Sequence, residues 1–126
     1  HRIKSISGAR NRMFDIKETG LFPVTEMARA LALNAGVAVP STLERLGRVA
    51  ENPDWSEAST SLSQVFKALQ QIRFQHQARQ LDAGVRPDDL VVPGQLDRLS
   101  RLQMTDAFRV LGSTLDQCAY RLDLGT

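Results

Sequence analysis

Between Ser56 and Ala83 the apolar side chains Leu62, Val65, Phe66, Leu69 and Ile72 recur every three or four residues. The same period returns from Leu99 through Met104, Phe108, Leu111, Leu115 and Cys118 to Leu122. Such spacing gathers side chains on one side of an α-helix, whereas a strand would need them to alternate. The two stretches are therefore predicted as long helices over 56–83 and 95–122. Each leaves an apolar stripe that must be buried against another element, which commits the chain to packing helix on helix.

Two shorter helices are expected ahead of them. Pro23 suits a helix start and Gly36 the left-handed residue past a helix end, so a helix is predicted over 23–35, with Val24, Met27, Ala28, Leu31 and Ala35 as its buried stripe. Ser41 and Glu44 have the spacing of a capping box, and Leu43, Leu46 and Val49 follow on one side, so a second helix begins there and stops before Asn52-Pro53. Asp54 and Glu57 repeat the cap spacing ahead of the first long helix, which Gly84 and Pro87 end. Residues 85–94, with two prolines and the pair Asp88-Asp89, are expected to form a loop across the end of the bundle, pinned by Leu90, Val91 and Val92. The predicted fold class is all-α: an antiparallel helical bundle of four to five helices, two short and then two long. Residues 1–13 lack a sustained apolar period and are expected to be a linker or N-terminal arm, leaving 14–126 as a single helical-bundle domain.

Composition narrows the function. The net charge is +2, but Arg2, Lys4, Arg10 and Arg12 all precede the first acid, Asp15, and the remainder holds 12 basic against 14 acidic residues. The basic excess belongs to the arm, so nucleic acid is not the expected partner. No apolar run is long enough to cross a bilayer, and a lone Cys118 allows no internal disulfide, so a cytoplasmic setting is expected, without a membrane. The chain starts at His1 and not at Met, and further sequence is expected upstream.

Chemical motifs are sparse. The glycines are scattered, as a phosphate-cradling loop would not have them, and no serine stands in a nucleophile-elbow pattern. His76 and Cys118 stand apart, without metal-ligand spacing, so no metal and no catalytic residue is assigned. Asp88-Asp89 reads as a pair of solvated turn residues, Trp55 as packing at a helix start, and Cys118 as a small hydrophobe of the last helix. Two constellations remain. Asp15-Ile16-Lys17 with Gly20-Leu21 sets a carboxylate, an ammonium and a flexible turn before the first helix. Arg73, His76 and Gln77 lie within one turn of a long helix and can project into a cleft, although a satisfied core histidine is the favoured reading of His76 by itself.

These segments together resemble the putative nucleotidyltransferase substrate-binding domain, a helical module at the C-terminus of bacterial signalling proteins that also carry cyclic-nucleotide-binding, CBS and nucleotidyltransferase domains. The likeness rests on Asp15-Ile16-Lys17 with Gly20-Leu21, Glu26-Met27-Ala28-Arg29, Thr42-Leu43-Glu44-Arg45-Leu46, Ile72 to Gln77, Gly84 with Pro87, and Met104 to Arg109. Thr105 departs from the lysine usual in the last segment, and its basic stretch is reduced to Arg98 and Arg101. The resemblance implies that the catalytic carboxylates, with the nucleoside triphosphate and Mg expected for the full-length protein, belong to an upstream nucleotidyltransferase domain. This chain would carry no cofactor of its own and would bind or position substrate. Lys17 and Arg29 would contact phosphate or an acidic acceptor, with Asp15 orienting Lys17 beside Gly20, and Arg73 and His76 lining the cleft that faces the catalytic domain. Association into a homodimer stays open. The alternative is a non-catalytic structural or regulatory bundle, in which the same polar residues are scattered or spent in internal pairs.

Overall fold

The computed structural model describes residues Arg12 to Leu124; residues 1–11 of the expected arm lie outside the described residues. A two-residue strand β1, Phe14–Asp15, leads through Ile16 into a π-helical turn, Lys17–Leu21, that runs straight into helix α1, Phe22–Ala35. Helix α2 spans Thr42–Val49 and helix α3 spans Ser56–Asp82. Strand β2, Leu90–Val91, and a 3-10 turn, Pro93–Gln95, precede helix α4, Arg98–Leu124. β1 and β2 form an antiparallel ladder with Phe14 opposite Val91 and Asp15 opposite Leu90.

The helices begin and end where local chemistry dictates. Gly36 takes φ +69° and Gly84 φ +72°, the left-handed backbone that closes α1 and α3. The Ser41 hydroxyl accepts from the Glu44 N–H at 3.1 Å and caps α2. The expected Asp54 cap of α3 is not formed. Asn52 folds a tight turn, its side chain accepting from the Asp54 N–H at 2.9 Å, so that Trp55 takes the cap position and buries its ring under the Arg121 guanidinium. The last helix starts three residues later than expected, because Pro93–Gln95 closes its own turn and the Asp97 carboxylate then accepts from the Ser100 N–H at 2.8 Å.

α3 and α4 pack antiparallel as a hairpin, and α1, α2 and the N-terminal segment cover one side of it. Ile16, Val24, Leu31, Leu46, Leu62, Leu69, Ile72 and Cys118 form the dry interior. Three expected core positions lie outside it. Ala35 is exposed because the chain reverses at Gly36 and brings Val37 against the core in its place. Leu43 is exposed on the outer side of α2. Leu99 is 78% exposed, because Leu96 ahead of the helix and Ser100 one residue on fill the inward positions. Among the described residues no helix is long and apolar enough to cross a membrane.

Candidate functional site

Polar groups converge where the N-terminal segment joins the hairpin. Asp15 holds the first turn through its Oδ1, which accepts from the Lys17 N–H at 3.1 Å and the Glu18 N–H at 3.0 Å, while Thr19 Oγ1 donates to its carbonyl at 2.7 Å. An acceptor is favourable there because the first N–H groups of a helix lack internal partners. Asp15 thus acts on Lys17 through the main chain. The Lys17 side chain is exposed and forms no ion pair among the described residues.

Gly20 is no flexible turn. It is buried within the π-helical segment, and a Cβ there would sit 2.7 Å from Leu69 Cδ1 and 3.3 Å from the Phe108 ring. Its missing side chain lets the N-terminal segment lie directly on the hairpin, where Phe14 also stacks on Phe108 with centroids 6.2 Å apart.

The loop after α3 is clamped to that helix. Arg73 Nε donates to Asp89 Oδ1 at 2.5 Å, with both side chains largely covered, and Gln77 Nε2 donates to the same oxygen at 3.0 Å. His76 Nε2 lies 2.8 Å from Asp88 Oδ1, which also accepts from Gln80 Nε2 and the Leu90 N–H at 3.0 Å each. Gln80 Oε1 returns the contact by accepting from the Asp88 N–H at 2.8 Å. Asp88, although exposed, and the more covered Asp89 are therefore tied to α3 and not simply solvated turn residues, and His76 is a partner of a loop carboxylate and not a core histidine. The hydrogen bond from His76, followed by those from the Leu90 N–H and Gln80, holds the Asp88 carboxyl below its ordinary value of 3.8. The spacing could have shown this, since Arg73, His76, Gln77 and Gln80 recur every three or four residues on one side of α3.

Clamp and entrance are joined through the β1–β2 ladder and by the Ile16 N–H, which donates to the Asp89 carbonyl at 2.9 Å. Asp15, Arg73 and His76 thus meet at the ladder end of the hairpin, with Lys17 in the turn that follows, whereas Gly20 is seated at Leu69, midway along α3. Arg29 does not join them. It lies twelve residues beyond Lys17, about 18 Å along a helix axis at 1.5 Å per residue, and pairs on the surface with Glu26 at 2.6 Å. Cys118 is fully buried, and desolvation pushes its thiol above the ordinary value of 9.0. No group of three or more metal-ligating side chains gathers among the described residues.

Fold and site define a small all-α domain whose polar chemistry is concentrated where its N-terminal segment meets the hairpin. The chain belongs to the family described as putative nucleotidyltransferase substrate binding domain, whose family model matches residues 1–122 of the 126. No curated protein and no solved structure matches it.

Proposed function

We propose that this chain positions a phosphate-bearing or acidic substrate for a nucleotidyltransferase domain elsewhere in its protein, and that Lys17 makes the contact. The supporting observation is an asymmetry of pairing. At the clamped end Arg73 and His76 are matched by Asp89 and Asp88, whereas the Lys17 ammonium stands exposed without an ion pair among the described residues. In this reading Arg73 and His76 position the 88–91 loop beside Lys17, and Arg29 serves as a separate surface charge. Mg and nucleoside triphosphate are held by the catalytic domain, in a cytoplasmic signal-transduction protein. The test is a titration of the 15N-labelled chain with a nucleoside triphosphate and, separately, with pyrophosphate. Shifts centred on Lys17, Glu18 and Leu90 that vanish in Lys17→Gln support the reading; shifts unaffected by that substitution refute it.

A second reading, a structural bundle that relays contacts between domains, is favoured by the same internal pairs. Arg73 and His76 are engaged by Asp89 and Asp88 within the chain, so they act on a neighbour only through the loop they hold. A chain that ignores both probes, yet binds its upstream domain more weakly once His76 is replaced by Ala, supports this alternative.

A further inference from the structure

The hairpin has a second side, and the N-terminal segment leaves it bare. In α3 the positions that recur every four and then three residues from Thr60 to Leu81 form one stripe, and in α4 those from Leu99 to Tyr120 form another. Every residue of both stripes is exposed except Val110, which is partly covered. The two stripes share one face. Ser100 Oγ donates to Gln75 Oε1 across the hairpin at 3.4 Å, which fixes the antiparallel register, and a shallow cleft of 240 Å³ has Gln64 on one wall and Gln103, Asp106 and Val110 on the other. A seven-residue repeat with 4-3 spacing is the pattern by which helices interlock with further helices.

We infer that this face is the interface for a second copy of the chain, stacked about a twofold axis. The two stripes contain one cation, Lys67, and one anion, Asp106, which lie near mid-face at nearly the same level of the hairpin. A twofold axis running lengthwise between the helices lays α3 of one copy antiparallel over α4 of the other and sets Lys67 against Asp106 twice. An axis across the hairpin would instead set like charges face to face, so the charges select the lengthwise one. The remaining matches then follow from the register with no further choice. Phe74, 58% exposed, comes to Leu99, 78% exposed, so two protruding apolar side chains near the clamped end cover each other. Gln71 meets Gln103, Gln64 meets Val110, and Thr60 meets Ser113. Asp106 is free to take part, because its pair with Arg109 is a surface contact with both side chains mostly exposed. The helices run side by side for about 33 Å at 1.5 Å per residue, and the face is roughly 18 Å wide for two helices. Two copies would bury roughly 1,200 Å² in total, the lower end of the range for specific interfaces, which calls for a dimer that dissociates on dilution.

Sedimentation velocity of the whole chain from low micromolar to submillimolar concentration tests this. A monomer–dimer equilibrium is expected. Lys67→Glu, which sets an acid against the partner's Asp106 at both contacts, should weaken it by about tenfold or more, and Asp106→Lys should do likewise. Combining the two substitutions should restore association, while circular dichroism and thermal unfolding confirm that all variants fold. A wild-type chain that stays monomeric throughout, or a dimer indifferent to all three variants, overturns the proposal; the first result would leave the face to another domain of the same protein.

Discussion

Two attachments hold the N-terminal segment to the hairpin, and they are built from opposite materials. At Gly20 the backbone is seated against Leu69 and Phe108 with no space for one more carbon. At the ladder, the Ile16 N–H and the 88–91 loop are tied by Asp88, Asp89, Arg73 and His76, and the side chains of Asp88 and His76 are 45% and 14% exposed. Close-packed apolar contact is costly to disturb and insensitive to pH. Exposed charged hydrogen bonds are individually weak but respond to protonation and to ligands. The segment is thus fixed by packing at one point and left adjustable by chemistry at the other, a few residues away, where Lys17 stands between them.

The largest effect is expected at the packed point. Gly20→Val drives its side chain into Leu69 and Phe108, and overpacking of this kind costs about 2 kcal/mol, a Tm lowered by roughly 8 °C for a domain of this size. Thermal or urea unfolding measures it, and a Tm within error of the parent would show that the seat yields freely. Arg73→Ala should cost less, about 1–2 kcal/mol, because it removes a charged hydrogen bond from a partly covered carboxylate that Gln77 still holds. Its signature is local: hydrogen exchange at Ile16 should speed up by more than global unfolding explains, whereas Gly20→Val should raise exchange throughout the core. Equal acceleration everywhere in both variants would erase the distinction between the two attachments. A buried polar group off the clamp gives the contrast in sign. Ser59 Oγ is fully buried without a hydrogen-bond partner among the described residues, so Ser59→Ala should raise stability by about 1 kcal/mol in the same unfolding assay.

The packed half of this architecture was open to sequence reading and the polar half largely was not. Long apolar periods such as Leu62, Val65, Leu69 and Ile72 mark a buried side whatever the partner is, and Gly36 and Gly84 end helices for reasons local to their own backbone. Leu99 misled because hydrophobicity alone does not tell an inward position from an outward stripe that keeps the same period. The β1–β2 ladder is two residues long on each side, too short to leave an alternating pattern. Gly20 resembles any turn glycine until Leu69 and Phe108, dozens of residues away, are brought to it. Asp88 and Asp89 carry the composition of a solvated turn, and only their closeness to Arg73 and His76 in space makes them a clamp.

The smallest expected effect is the most specific to the polar attachment. His76, the Leu90 N–H and Gln80 hold the Asp88 carboxyl below 3.8, so near that pH the folded chain keeps this site ionised while an unfolded chain would begin to protonate it. The clamp's contribution is therefore complete above the ordinary carboxylate value and disappears as the pH falls through the depressed one. The Leu90 amide, which donates to Asp88 Oδ1 at 3.0 Å, reports on this directly. Its resonance should titrate with a midpoint below 3.8, and His76→Ala should move that midpoint upward by removing the largest of the three stabilising hydrogen bonds. Asp97, also held low, by its bonds to Ser100, is the internal control and should not respond to the His76 change. A Leu90 midpoint at or above the ordinary value, or one that His76→Ala leaves in place, would mean that the loop is held by its backbone ladder alone and that the contrast with the Gly20 seat is one of degree.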